Sequence, residues 1–102
     1  MKSKKLWKIL VPMTNDGVKI KKKHHRAWDE KVSEIAGGLT LFKPKKGRWK
    51  YDGKLFCEKM IRVEIAATAT EIVAIARMTA AHYNQKAVMY YLKSDFVAIC
   101  EY

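Results

Sequence analysis

Lys54-Leu55-Phe56-Cys57-Glu58-Lys59-Met60-Ile61-Arg62-Val63-Glu64-Ile65-Ala66 alternates from Cys57 onward. Cys57, Ile61, Val63 and Ile65 fall on one side, with Lys59 the break in that apolar set. Phe56, Glu58, Met60, Arg62, Glu64 and Ala66 fall on the other. A period of two with Ile and Val on one side predicts a strand that lays one face on a core. The second face sets two carboxylates and a guanidinium two residues apart, so their side chains share one surface of a sheet. Such a face is either solvated, with cross-strand ion pairs, or used by a ligand or partner.

Upstream, Leu6 to Met13 predicts a first strand with Trp7, Ile9 and Val11 on one face and Lys8 and Leu10 on the other, ended by Pro12. Thr14-Asn15-Asp16-Gly17 has turn composition, and Lys19 to Lys23 is expected to be a solvated loop. His24 to Ala36 predicts a helix with the stripe Trp28, Val32, Ile35 and Ala36; Asp29 and Glu30 are placed in its first half, and Gly37-Gly38 stops it. Adjacent His24 and His25 point about 100° apart on a helix, which makes them poor co-ligands for a metal.

Leu39 to Phe42 predicts a strand, and Arg48 to Tyr51 another that turns at Asp52-Gly53 into the long strand. Thr68 or Thr70 is expected to cap a second helix, with Glu71 in its first turn and Asn84-Gln85 at its end. Ala87 to Lys93 and Phe96 to Cys100 are strand material separated at Ser94-Asp95; Tyr90 and Tyr91 fall on opposite faces, so one is expected in the core. The order β-α-β-β-α-β, with a β-hairpin extension, predicts an α+β ferredoxin-like antiparallel sheet with two helices on one face, as one domain over residues 1–102. The uncovered face is too apolar to stay wet and too charged to be a core, which points to association between copies.

Composition narrows the function classes. A hydrophobic share of 49% fits a globular chain rather than a disordered one. No apolar run is long enough to span a bilayer, and the basic N-terminus lacks the apolar segment of a signal peptide, so a cytoplasmic protein is expected, with no membrane partner. Cys57 and Cys100 are read as buried free thiols, with a disulfide as the lesser reading. The net charge of +11 resides wholly in residues 1–54, and residues 55–102 balance to zero. This excess permits a basic nucleic-acid-binding module. Its lysines are spread over an arm, a loop and a hairpin with few interleaved aromatics, so nucleic acid is not expected as the partner.

A set of residues then gives a resemblance. Val11-Pro12 is followed by Asn15 and Gly17, then His24 or His25 before the Trp28 helix, then Gly37-Gly38-Leu39-Thr40. Gly47-Arg48-Trp49, Glu58-Lys59 with Arg62-Val63, Ala74-Ile75-Ala76-Arg77 and Tyr83-x-Gln85-x-Ala87-Val88 complete it. In this order the chain resembles the phage S-adenosylmethionine (SAM) lyases, also called SAM hydrolases. The resemblance implies a homotrimer with sites between subunits. It implies cleavage of SAM to 5′-methylthioadenosine and L-homoserine lactone, which depletes the host's SAM and disarms restriction. It implies no cofactor and no metal.

The implied reaction is attack of the substrate's own carboxylate on its γ-carbon. Sulfonium and carboxylate charges disappear together, so a dry site that holds the substrate folded is what the chemistry needs. Glu58 is the candidate anion for the substrate's α-ammonium; its structural alternative is an ion pair with Arg62 or Lys8. Tyr51 and Trp49 are candidates to close over the ligand, or to pack across the hairpin. Asn15 and Gly17 offer amide and backbone contacts, or simply make a turn. Arg62 and Met60 complete the substrate-binding set. A metabolite-binding protein of the same fold that does not turn its ligand over uses the same cleft, and turnover separates the two.

Overall fold

The computed structural model describes residues 4–37, 40–41, 45–51 and 54–97, with the backbone alone for 40–41, 45–51 and 54–59. Strand β1 (Lys5–Pro12) leads into a two-residue hairpin, β2 (Thr14–Asn15) and β3 (Val18–Lys19), and then helix α1 (Lys22–Ala36). Strands β4 (Thr40–Leu41), β5 (Lys45–Tyr51) and β6 (Lys54–Ala67) follow, then helix α2 (Ala69–His82) and strand β7 (Tyr90–Ser94).

The long alternating stretch is β6, and the sheet is built on it. One edge of β6 pairs antiparallel with β1, from Pro12↔Met60 to Lys5↔Ala67. The other edge takes β5 along residues 54–60 and β4 at Val63 and Glu64, so β4 and β5 succeed each other beside one strand. With β7 on the far side of β1, the order is β4-β6-β1-β7. This is the ferredoxin-like arrangement, with the β5–β6 hairpin as its extension.

Both helices cover one face. Ile9, Val11, Val63, Ile65 and Ala67 rise from the sheet to meet Trp28, Val32 and Ala36 of α1 and Ile72, Ile75 and Ala76 of α2, all buried. The Trp28 indole donates to the Thr79 hydroxyl at 2.9 Å, and that hydroxyl donates to the Ile75 carbonyl at 2.6 Å. Thr68 and Glu71 close a reciprocal capping box at the start of α2. Gly37, at φ 88°, ends α1 with its N–H on the Ser33 carbonyl, and the Lys4 ammonium donates to the Ala36 carbonyl at 2.8 Å.

Several expectations need correction. Helix α1 starts two residues earlier than its apolar stripe suggests, so the basic loop shrinks and Lys22 and Lys23 are helical. Its first turn therefore holds no acidic residue, and Asp29 and Glu30 lie beyond the reach of the helix start. Neither Tyr90 nor Tyr91 is in the core, because β7 is outermost among the described strands and both tyrosines reach solvent. Strand β7 begins at Tyr90 rather than Ala87, although the Leu10 N–H still bonds the Met89 carbonyl, and most of the expected Phe96–Cys100 strand lies outside the described residues. Lys8, read as part of an open face, is only 9% exposed. The Asp52-Gly53 turn, Gly38 and Cys100 lie outside the described residues, as does the Cys57 side chain.

Candidate functional site

The face of the sheet away from the helices centres on Glu64. Register puts Lys8 opposite Glu64 on one side and Tyr91 opposite Lys8 on the next strand. The Lys8 ammonium stands 3.8 Å from the Glu64 carboxylate, and the Lys93 ammonium donates a hydrogen bond to it. The Lys8 and Glu64 side chains are 11% and 13% exposed, so this pair is largely withdrawn from water. Arg62 lies opposite Leu10, and buried Met60 lies opposite Pro12. The carboxylate read as a solvated or ligand-facing group is thus the partner of two lysines.

Glu58 sits two and four residues before Met60 and Arg62 on β6, across from Gly47. Trp49 is across from Phe56, and Tyr51 is across from Lys54 at the end of the hairpin. Strand rise places the Tyr51 position about 13 Å along β6 from Glu58, and about 20 Å from Met60. Within one chain the register therefore sets the Trp49 position diagonally beside Glu58 and the Tyr51 position at the far end of the ladder.

Asn15 and Gly17 belong to the β2–β3 turn, three and five residues past the Pro12 that faces Met60. Asp16 at φ 50° and Gly17 at φ 79° give the turn two left-handed positions, as a primed two-residue hairpin requires. The Asn15 amide donates to the Tyr83 carbonyl at 3.2 Å and ties this hairpin to the end of α2.

That end of α2 carries a cluster the sequence does not announce. His24 and His82 stack with centroids 3.9 Å apart, and the His25 ring and the Tyr83 hydroxyl are 2.7 Å apart. Burial pushes the Tyr83 hydroxyl well above its usual range, so it stays protonated and can donate to Nδ1 of neutral His25. Burial is also the main cause that lowers His25, offset by Asp29 one turn on. Asp29 itself is raised by burial. His25 and Asp29 line a cavity of about 40 Å³ with Val11, Trp28, Ile61 and Val63, roomy enough for a water. His82 lies on the line Ile75, Met78, His82 of α2, and a single sequence offers no sign that this line meets the start of α1. Among the described residues no group of three or more His, Cys, Asp or Glu is placed to hold a metal ion. No described helix is long and apolar enough to cross a membrane.

Known structures share this architecture. A phage SAM lyase in complex with S-methyl-5′-thioadenosine superposes with a TM-score of 0.68 at 11% identity, over 93% of this chain and 84% of that one. The divalent cation tolerance protein CutA1 of Thermus thermophilus gives 0.63 at 11% identity, over 96% and 85%. The periplasmic divalent cation tolerance protein CutA of Archaeoglobus fulgidus gives 0.65 at 10%, over 94% and 87%. At these identities the likeness shows the fold alone. No protein-family model and no curated protein matches the sequence.

Proposed function

We propose that the chain is a SAM lyase that releases 5′-methylthioadenosine and L-homoserine lactone. The observation that carries this reading is the fold it shares, over 93% of its length, with a phage SAM lyase holding a thioadenosine product. The ordered residues of the sequence resemblance point the same way. The substrate carboxylate attacks Cγ, the C–S bond breaks, and its electron pair stays on sulfur as a neutral thioether leaves. No protein nucleophile and no cofactor enters this scheme. Glu58 receives the α-ammonium, Arg62 and Met60 flank it, Asn15 and Gly17 contribute amide and backbone contacts, and Trp49 and Tyr51 close over the purine.

Strand spacing bears on where this happens. The Trp49 position lies diagonally beside Glu58, whereas the Tyr51 position is about 13 Å along the ladder from it. We take the hairpin of a second copy to complete closure over the bound substrate. Met89, Tyr90, Tyr91 and Leu92 are all more than a third exposed, and they line an edge strand, which is a ready surface for such association. We take the assembly to be a trimer with sites between subunits, working in the cytoplasm of an infected host to deplete SAM.

The likeness to CutA proteins favours a second reading, a protein of this fold that binds a metabolite without turning it over. Incubation with SAM, followed by chromatography for methylthioadenosine, separates the two. Product formed with enzyme turnover supports the lyase; binding of methylthioadenosine by calorimetry without product supports the second reading.

A further inference from the structure

Lys19, Lys21, Lys22, Lys23 and Arg26 put five cations within eight residues, and no Asp or Glu lies between Gly17 and Trp28. The sequence divides them between a loop and a helix, but the structure gathers them at one end of the molecule. Lys19 closes β3, Lys21 is the extended residue before α1, and Lys22, Lys23 and Arg26 occupy the first turn and the start of the second. All five are exposed. None takes part in an ion pair among the described residues, whose pairs involve Lys4, Lys5, Lys8 and Lys93. The neighbouring acids are Asp16 at the hairpin tip, Asp29 turned towards His25, and Glu30 further along α1, so the excess of positive charge is local.

We infer that this ridge docks on the phosphate backbone of double-stranded nucleic acid. Extended and helical rises together make the ridge on the order of 15 Å long. One strand of a duplex offers a phosphate per about 3.4 Å of axis, so roughly four phosphates lie within its span. An anionic membrane is the less suitable polyanion. A helix that lies in a bilayer interface presents an apolar face beside its cations. The apolar face of α1, with Trp28, Val32 and Ala36, is buried on the sheet instead. Val18 is the one large exposed apolar side chain among the described residues of this stretch. The ridge brings no Phe, Tyr or Trp for stacking on bases, and its His24 and His25 rings are taken up by His82 and Tyr83, so it binds without reading sequence. This inference is independent of the lyase reading.

The test is fluorescence anisotropy of a labelled DNA duplex of about 20 bp, titrated with the full chain at about 50 and about 200 mM salt. Binding at low salt that weakens by ~100-fold at high salt is the expected result. The triple variant Lys22→Glu, Lys23→Glu, Arg26→Glu should lose at least ~10-fold in affinity and show a shallower salt dependence. Acidic residues suit the first turn of a helix, so the variant keeps its fold. Should it unfold, Lys19→Glu with Lys21→Glu, outside the helix, gives the same reading. Arg77→Glu, exposed in the middle of α2, should bind nearly as wild type. Three results overturn the inference: no duplex binding at low salt, equal loss in the Arg77→Glu variant, or binding to phosphatidylserine vesicles but not to duplex.

Discussion

His24 and His82 bind each other's backbone: the Nε2–H of His24 donates to the His82 carbonyl at 2.6 Å, and that of His82 to the His24 carbonyl at 2.7 Å. The two rings stack at 3.9 Å, and the Lys31 ammonium stands 3.2 Å from Nδ1 of His82. A neutral His82 accepts from Lys31; a protonated one would set an N–H against an ammonium. With His82 neutral, the pair thus latches the start of α1 to the end of α2.

Stability should therefore depend on pH. Burial is the first cause that lowers both His82 and His25 from 6.5. A folded-state value below the unfolded one means that the folded chain binds fewer protons. The contribution is fully present above about pH 6.5 and is lost as pH falls through the lowered folded values. Thermal melts should show a plateau above neutrality and a falling Tm on acidification, flattened in His82→Gln. Asp29, raised by burial, acts in the opposite sense at still lower pH. A Tm unchanged between neutrality and pH 5 would contradict the latch.

The Trp28–Thr79 bond joins the two helices inside the core, where Thr79 is fully buried. Thr79→Val keeps the shape and removes the acceptor, leaving the indole N–H buried without a partner. Urea unfolding should show a loss of about 1–3 kcal/mol. A variant as stable as wild type would mean that the indole finds another acceptor.

Glu64 and Glu58 should separate by phenotype. Glu64 holds Lys8 and Lys93 on a largely buried face, so Glu64→Gln should cost ~2 kcal/mol of stability while the folded protein retains turnover. If Glu64→Gln is fully stable and inactive, Glu64 rather than Glu58 serves the substrate.

The exposed edge of β7 should carry self-association. Sedimentation at micromolar concentration should give a species larger than a monomer, and Leu92→Glu, which sets a charge in the exposed apolar row, should shift it towards monomer. A wild-type monomer under these conditions would remove the between-subunit site.

The regular parts of this fold were legible because their signals are local. The alternation of β6, the stripe Trp28, Val32, Ala36 and the Thr68–Glu71 box each appear within a dozen residues, and the ferredoxin-like order follows from them. What was not legible is the pairing of distant side chains. Nothing near Glu64 announces that Lys8 and Lys93, 56 and 29 residues away, will neutralise it, and nothing near His24 announces His82. Edge strands mislead for a related reason. Tyr90 and Tyr91 alternate like core residues, but an outermost strand has too little cover to bury either. The candidate Glu58 was drawn from the open face and the resemblance, and Tyr51 and Trp49 from the hairpin; strand register sets the Trp49 position diagonally beside Glu58 and leaves the Tyr51 position farther along the ladder.

The most direct test of the lyase reading is SAM incubated with purified wild type and with Glu58→Gln, each followed by chromatography for methylthioadenosine and homoserine lactone. The account predicts both products in equal amounts from wild type, and none from a Glu58→Gln protein that melts like wild type. Absence of product from wild type would contradict the lyase, and full activity in Glu58→Gln would contradict the site.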